Sequence, residues 1–443
     1  MSVAKIRPRV RDAVIRALSA GVVPSQGIQH IQVGRAPEVK AMIRSIEAVG
    51  DGGSAFRLVV GDYGAGKTFF LHLVRQLAFE HKLITMHADL SPERRLVARG
   101  GQARNLYSEL VSNMATRSRP EGGALSAIIE GFVGQTIKDA AEAGVAALQL
   151  VEERLSGLQD LVGGWDFAKV LSTYCHAHEN SNDALKLAAM RWLRGEYTTK
   201  TEARKDLDVR TIIDDGMFYD AIKLLARFMQ IAGQGGLFVM LDEGVNLFKI
   251  AHTQSRTANY EMVLRMLNDT LQGESSAQGL GMLLGITPEA LYDHRRGLCS
   301  YDALNSRLAA NQFAEKAGLV DYNQPTIHLQ NLSPEELFLL LGNIRNVFAG
   351  GDQEKFLIDD QGVTAFMQHC NQTIGAAYFK TPRETVRGFV NLLSMLDQYP
   401  DKSWRDFVNT MEIAEDHEPD YPEGEDAATS SFGTSDELKN FTL

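Results

Sequence analysis

The octapeptide Gly61-Asp62-Tyr63-Gly64-Ala65-Gly66-Lys67-Thr68 leaves little freedom in how the chain around it folds. Its glycines let a loop curl so that successive backbone N–H groups point inward at an anion. Such a loop works between a buried strand and a helix that offers its N-terminus to the same anion. The flanks supply both. Residues 56–60 form a short apolar run of strand length, and Phe69, Phe70, Leu73, Val74 and Leu77 recur at helical spacing. The loop therefore reads as an intact Walker A motif. Lys67 is expected to reach the β- and γ-phosphates and the Thr68 hydroxyl to ligate Mg²⁺, so the expected cofactors are ATP and Mg²⁺. Residues 61–68, with Phe69 behind them, are the predicted nucleotide contacts.

A second element supports the first. The run Gly236-Leu237-Phe238-Val239-Met240-Leu241 is a buried strand that delivers Asp242 and Glu243. Asp242 is placed to hold the metal, and Glu243 to orient or deprotonate an attacking water. An acidic pair at a strand end is common and weak alone. Beside a Walker A loop it points to hydrolysis of ATP, beyond binding.

Further apolar strands are expected at 83–88, ending in Asp89, at 280–286 and at 326–329. Helical patterns separate them, which implies an α/β fold with a parallel sheet covered on both faces. Four parts are expected: an N-terminal helical arm (1–27), the α/β core (28–330) with a helical insertion at about 100–232, a helical lid (331–411) and an acidic tail (412–443). The insertion is far longer than an ordinary connection between sheet elements. The tail holds ten acids against one lysine, a balance of −9, and has little to bury, so disorder is expected there.

Of the net charge of −11, the chain outside the tail carries only −2, which does not make the body a strongly basic nucleic-acid binder. The basic run Lys5, Arg7, Arg9, Arg11 and Arg16 is a solvated helix face or a phosphate contact; Arg191, Arg194, Lys200, Arg204 and Lys205 give the insertion a similar option. No apolar run approaches the roughly 20 residues needed to span a bilayer. Cys175, Cys299 and Cys370 lack metal-ligand spacing. Without an apolar leader, a cytoplasmic protein with reduced thiols and no membrane partner is expected.

Together these residues resemble the AAA+ P-loop ATPases of the origin-recognition and initiator type, over about 28–90 and 236–396. The stretches Ser19-Ala-Gly-Val-Val-Pro24, Val33-Gly-Arg35, residues 61–68 and Ala88-Asp-Leu-Ser91 look more like the bacterial BrxD-like ATP-binding proteins of BREX phage-defence loci. The resemblance implies an AAA+ fold with a helical lid beginning near Leu332-Ser-Pro-Glu-Glu-Leu337. It also implies roles for single residues. Thr287, after the fourth strand, would be sensor 1, or a plain turn threonine before Pro288. Arg383, in Lys380-Thr-Pro-Arg383, would be sensor 2, although an arginine in the first turn of a helix opposes the helix dipole. Among Arg295, Arg296 and Arg307, Arg307 is the first choice for an arginine finger acting on a neighbouring subunit; a surface salt bridge is the alternative. Arg35 would border the adenine or serve as a structural charge.

The implied function is an ATP-dependent homo-oligomer working on DNA, or on a helicase or other defence-system partner. Initiators usually carry a C-terminal winged helix, and here the acidic tail follows the lid, which puts direct duplex reading in doubt. A signalling switch of the STAND type is the main alternative, with nucleotide state controlling an effector and no direct DNA contact. A scaffold that holds ATP structurally and a small-molecule kinase fit less well.

Overall fold

The computed structural model describes residues 5–273, 275–374 and 382–408. Five strands carry the architecture: β1 (Ala55–Val60), β2 (Ile84–Asp89), β3 (Leu237–Asp242), β4 (Leu280–Ile286) and β5 (Thr326–His328). They form one parallel sheet in the order β2-β3-β4-β1-β5. This is an α/β P-loop NTPase fold. The central strands β3 and β4 are buried at every residue, which is why their sequences are apolar without alternation. In register, Val60 lies beside Ile286 and Asp89 beside Asp242. All the functional strand ends therefore reach the same edge of the sheet, where ligands of open α/β sheets bind.

Helices cover both faces. On one, α2 (Ala36–Gly50) and α3 (Lys67–Glu80) pack Met42, Ile46, Phe70 and Val74 against Val59, Phe238 and Leu283. On the other, Leu58, Val239, Leu241 and Met282 meet a larger core that runs on into the helices between β2 and β3. The helical insertion thus shares its core with the sheet. Its last helix, Phe218–Ile231, lies against β3 and β4, and its long Leu125–Ala143 helix packs on that helix through Phe132 and Phe228, ring centroids 5.3 Å apart.

A separate core holds the lid helices Pro334–Phe348, Asp360–Ile374 and Pro382–Gln398. The N-terminal helix α1 (Pro8–Ser19) belongs to it: Val14 and Leu18 pack among Leu337, Leu341 and Phe389. The arm expected at 1–27 is thereby fastened to the lid by its apolar face, and its basic face is turned to solvent. Ser333 and Glu336 close a reciprocal capping box at the start of the first lid helix, so the S-x-x-E pattern in the sequence marks where the lid begins. The acidic tail at 412–443, and Lys380 and Thr381, lie outside the described residues. Among the described residues no helix is long and apolar enough to cross a membrane.

One buried polar network supports the helix under the sheet. Asp220, 8% exposed, pairs with Lys223 at 3.2 Å and with Arg265 at 2.7 Å, and Lys223 also meets Asp269 at 3.4 Å. Removing one member of a buried ionic group leaves the others desolvated and uncompensated, at a cost of about 3–5 kcal/mol. Asp220→Ala is therefore expected to lower the denaturation midpoint of the core strongly in a urea titration, and Asp220→Asn less. A midpoint unchanged by Asp220→Ala contradicts this account of the network.

Candidate functional site

The phosphate loop starts where β1 stops. The Gly61 N–H donates to the Ile286 carbonyl of β4 at 3.2 Å, which ties the loop's first residue to the sheet. Gly64 and Gly66 take φ of 81° and 85°, the left-handed region that only glycine enters freely, and so return the chain onto the first turn of α3. Lys67 and Thr68 open that helix. The Lys67 ammonium donates to the carbonyls of Gly61 at 2.8 Å and Asp62 at 2.9 Å, which holds it across the loop.

Across the site stands the end of β3. The Thr68 hydroxyl donates to Asp242 Oδ2 at 2.7 Å, while Asp242 Oδ1 accepts from the Glu243 N–H at 2.8 Å. Both carboxylate oxygens are thus fixed in direction. Glu243 sits at φ 55°, a left-handed conformation that is uncommon for any residue but glycine. Burial, then the charges of Asp242 and Asp89, pushes the Glu243 carboxyl above the ordinary glutamate range, and Lys67 and Lys249 pull it partly back. Lost hydration and the Asp242 charge push Asp89 the same way, offset in part by Arg94. Three acids crowd one strand edge, and the charge of Asp242 makes both Asp89 and Glu243 harder to ionise.

A single cavity of about 410 Å³ joins these groups, a volume suited to a small ligand. One end is polar, with the loop, Lys67, Thr68, Asp242, Glu243, Lys249 and Thr287. The other is apolar and is built by three separate parts of the chain: Leu18 and Val22 from the arm, Ile31 and Val33 before α2, and Leu340, Ile344 and Val386 from the lid. A charged tail at one end and a flat apolar body at the other match a nucleoside triphosphate.

The remaining predicted residues divide clearly. Thr287 lines the cavity and also caps the short helix Pro288–Tyr292, accepting from the Ala290 N–H at 3.3 Å, so the turn reading and the site reading describe one position. Arg383 reaches the cavity from the lid, donates to the Tyr63 hydroxyl at 3.3 Å and lies 5.9 Å from the Tyr63 ring centroid. Arg35 lines the cavity as well. Its guanidinium bridges the carbonyls of Ala65 at 2.6 Å and Gln330 at 2.9 Å, bracing the loop against the segment that leads to the lid. Arg307 stands outside, on the helix Asp302–Leu308, held by Asn268 Oδ1 at 2.5 Å and the Ala303 carbonyl at 2.9 Å. Arg296 is spent within the chain, on the Phe248 carbonyl at 3.2 Å and over the Phe248 ring. Arg295 is exposed.

Sequence reasoning missed three contributors. Lys249 lines the cavity near Glu243. The Asn246 amide donates to the Leu90 carbonyl at 2.8 Å, joining the ends of β2 and β3. Gly285 lets β4 pass close behind Asp242, since a β-carbon there would stand 2.7 Å from Asp242 Oδ1. An isolated glycine inside an apolar strand is the signal that could have found it. Overpacking at such a point costs about 1–3 kcal/mol. Gly285→Ala is expected to displace Asp242 and weaken nucleotide binding by about tenfold or more while the circular dichroism spectrum is kept. Wild-type affinity for a fluorescent ATP analogue would show that the close approach is incidental.

No curated protein matches the chain at a significant level. A family profile does, over residues 6–412, and it therefore spans the arm, the sheet, the insertion and the lid alike. A phosphate loop, an acidic strand end and an apolar base pocket within one cavity are what an ATP-binding protein requires, and on that match the chain belongs to the BREX system ATP-binding protein BrxC/D family.

Proposed function

We propose that this protein hydrolyses ATP with Mg²⁺ and uses the cycle as an oligomeric switch or motor, acting on DNA or on a DNA-processing partner in phage defence. The observation that carries the reading is the contact between Thr68 and Asp242 at 2.7 Å, with Glu243 next in the chain and lining the same cavity. Two adjacent hard oxygen donors suit Mg²⁺, and Thr68 and Asp242 would hold it. When bound, that ion neutralises charge on the β- and γ-phosphates. Lys67 and the amides of residues 61–68 bind the phosphates, and the apolar end takes the base. Glu243 accepts the proton of the attacking water. Thr287 and Arg383, which line the cavity, are assigned to the γ-phosphate in this reading. Arg307, exposed and outside its own cavity, serves the nucleotide of a second copy by exchanging its contacts with Asn268 and the Ala303 carbonyl for that phosphate.

Mutation separates binding from turnover. Lys67→Ala is expected to abolish ATP binding. Glu243→Gln is expected to keep binding and lower turnover by about 10²–10⁴, the range for a lost general base. Turnover by Glu243→Gln at the wild-type rate removes Glu243 as the base. In trans, Arg307→Ala subunits mixed with Glu243→Gln subunits should regain activity that neither has alone. A protein that stays monomeric by light scattering at saturating ATP ends the oligomer reading.

The raised Glu243 carboxyl gives a pH test. A base must be ionised, so kcat/KM should climb with pH through a value above the ordinary glutamate range. Asp89 adds to that upward shift. Asp89→Asn removes a negative neighbour, makes Glu243 easier to ionise and should move the acid limb to lower pH. An acid limb that stays in place separates Asp89 from Glu243.

A further inference from the structure

The eleven residues from Arg94 to Arg104, which lead from β2 into the first turn of the helix Gln102–Ser112, carry four arginines, Arg94, Arg95, Arg99 and Arg104, and no acid. Arg94 is neutralised by Glu109 at 3.4 Å. The guanidinium groups of Arg95, Arg99 and Arg104 have no hydrogen bond, ion pair or ring contact among the described residues. Arg99 is exposed, and Arg95 and Arg104 are half-buried. A guanidinium offers five donors in a rigid fork, and it is the side chain of choice for carboxylate and phosphate oxygens.

The loop is held firmly in place. Asn259, fully buried, accepts through Oδ1 from the N–H groups of Leu96 at 3.1 Å and Val97 at 3.0 Å, and its amide donates to the Val97 carbonyl at 3.1 Å. At the far end Asp215 accepts from the N–H groups of Gly101 at 2.7 Å and Arg104 at 2.9 Å. An open groove of about 590 Å³ runs along this stretch, bordered by Arg99 and Arg104 and by Asp214 and Asp215. Both acids are half-buried and turned onto main-chain N–H groups, Asp214 onto that of Gly216 at 3.1 Å. In the insertion Arg191 is paired with Glu202 at 2.9 Å and Arg194 with Glu196 at 3.9 Å.

We propose that this groove, with the loop that borders it, binds the phosphodiester backbone of nucleic acid through Arg99 and Arg104, which line it, and Arg95 on the same loop. The proposal rests on the DNA-directed reading above and gives it a place. Because guanidinium groups on a fixed main chain contact phosphate and no base edge, binding is independent of sequence and falls steeply with salt.

The test is fluorescence anisotropy of the full chain on labelled single- and double-stranded oligonucleotides across a salt series, with a non-hydrolysable ATP analogue present. Combined Arg95→Ala, Arg99→Ala and Arg104→Ala should weaken binding at low salt and reduce the salt slope by about two to three. The same positions changed to lysine should keep the slope. Should the alanine variant misfold, Arg99→Glu alone carries the test and should weaken binding on its own. Arg7→Ala with Arg9→Ala and Arg16→Ala is the comparator for the arm. Binding on either form of nucleic acid that depends on the three loop arginines supports the proposal. A wild-type protein without salt-dependent binding overturns it, as does a slope lost only in the arm variant. Basal ATP turnover, measured without nucleic acid, should be unchanged by the loop variants. Its absence from the wild-type protein would sink the ATPase reading and leave the groove standing.

Discussion

The hydrogen bond from the Thr68 hydroxyl to the Asp242 carboxylate joins residues 174 apart in the chain, and the rest of the site is arranged around it. It forms only if β3 runs parallel to β1 with both carboxyl ends at one edge. It also needs β4 to pass between them closely enough for Gly61 to bond to Ile286. Those demands fix the sheet order at its centre. Everything inserted between β2 and β3 must then leave and return without disturbing that edge. The insertion satisfies this by lying on one face and merging with the core there.

The cavity extends the same logic to the ends of the chain. Its polar half belongs to the sheet, but its apolar half needs Leu18 from the arm and Ile344 and Val386 from the lid. Arm and lid share one core, so they form a single wall, and Arg35 links that wall's root at Gln330 to the loop at Ala65. A ligand that fills both halves bridges two bodies. On the function proposed above, nucleotide state would alter the posture of the lid through that contact.

Much of this was legible in the sequence because the features are local. The glycine loop, the five apolar strands and the acidic pair each announce themselves within about ten residues, and the structure sets all five strands within a residue or so of their expected places. The roles of Arg35 and Gly285 were not legible in the same way. Arg35 bonds to main-chain carbonyls 30 and 295 residues away, and Gly285 matters because of an oxygen on a neighbouring strand. The arm was read as a separate part because helical periodicity shows that a face is apolar without showing what covers it. In the same manner the basic residues of the insertion looked alike in sequence. Only the fold shows Arg191 paired with Glu202, while Lys200 and Lys205 have no ion pair among the described residues.

Hydrogen exchange with and without a non-hydrolysable ATP analogue and Mg²⁺ tests the central claim most directly, since that claim is one nucleotide held by loop, arm and lid together. The account predicts added protection in three segments at once: residues 61–68, residues 18–24 and residues 382–386. Protection confined to the loop, or absent from all three, would contradict it.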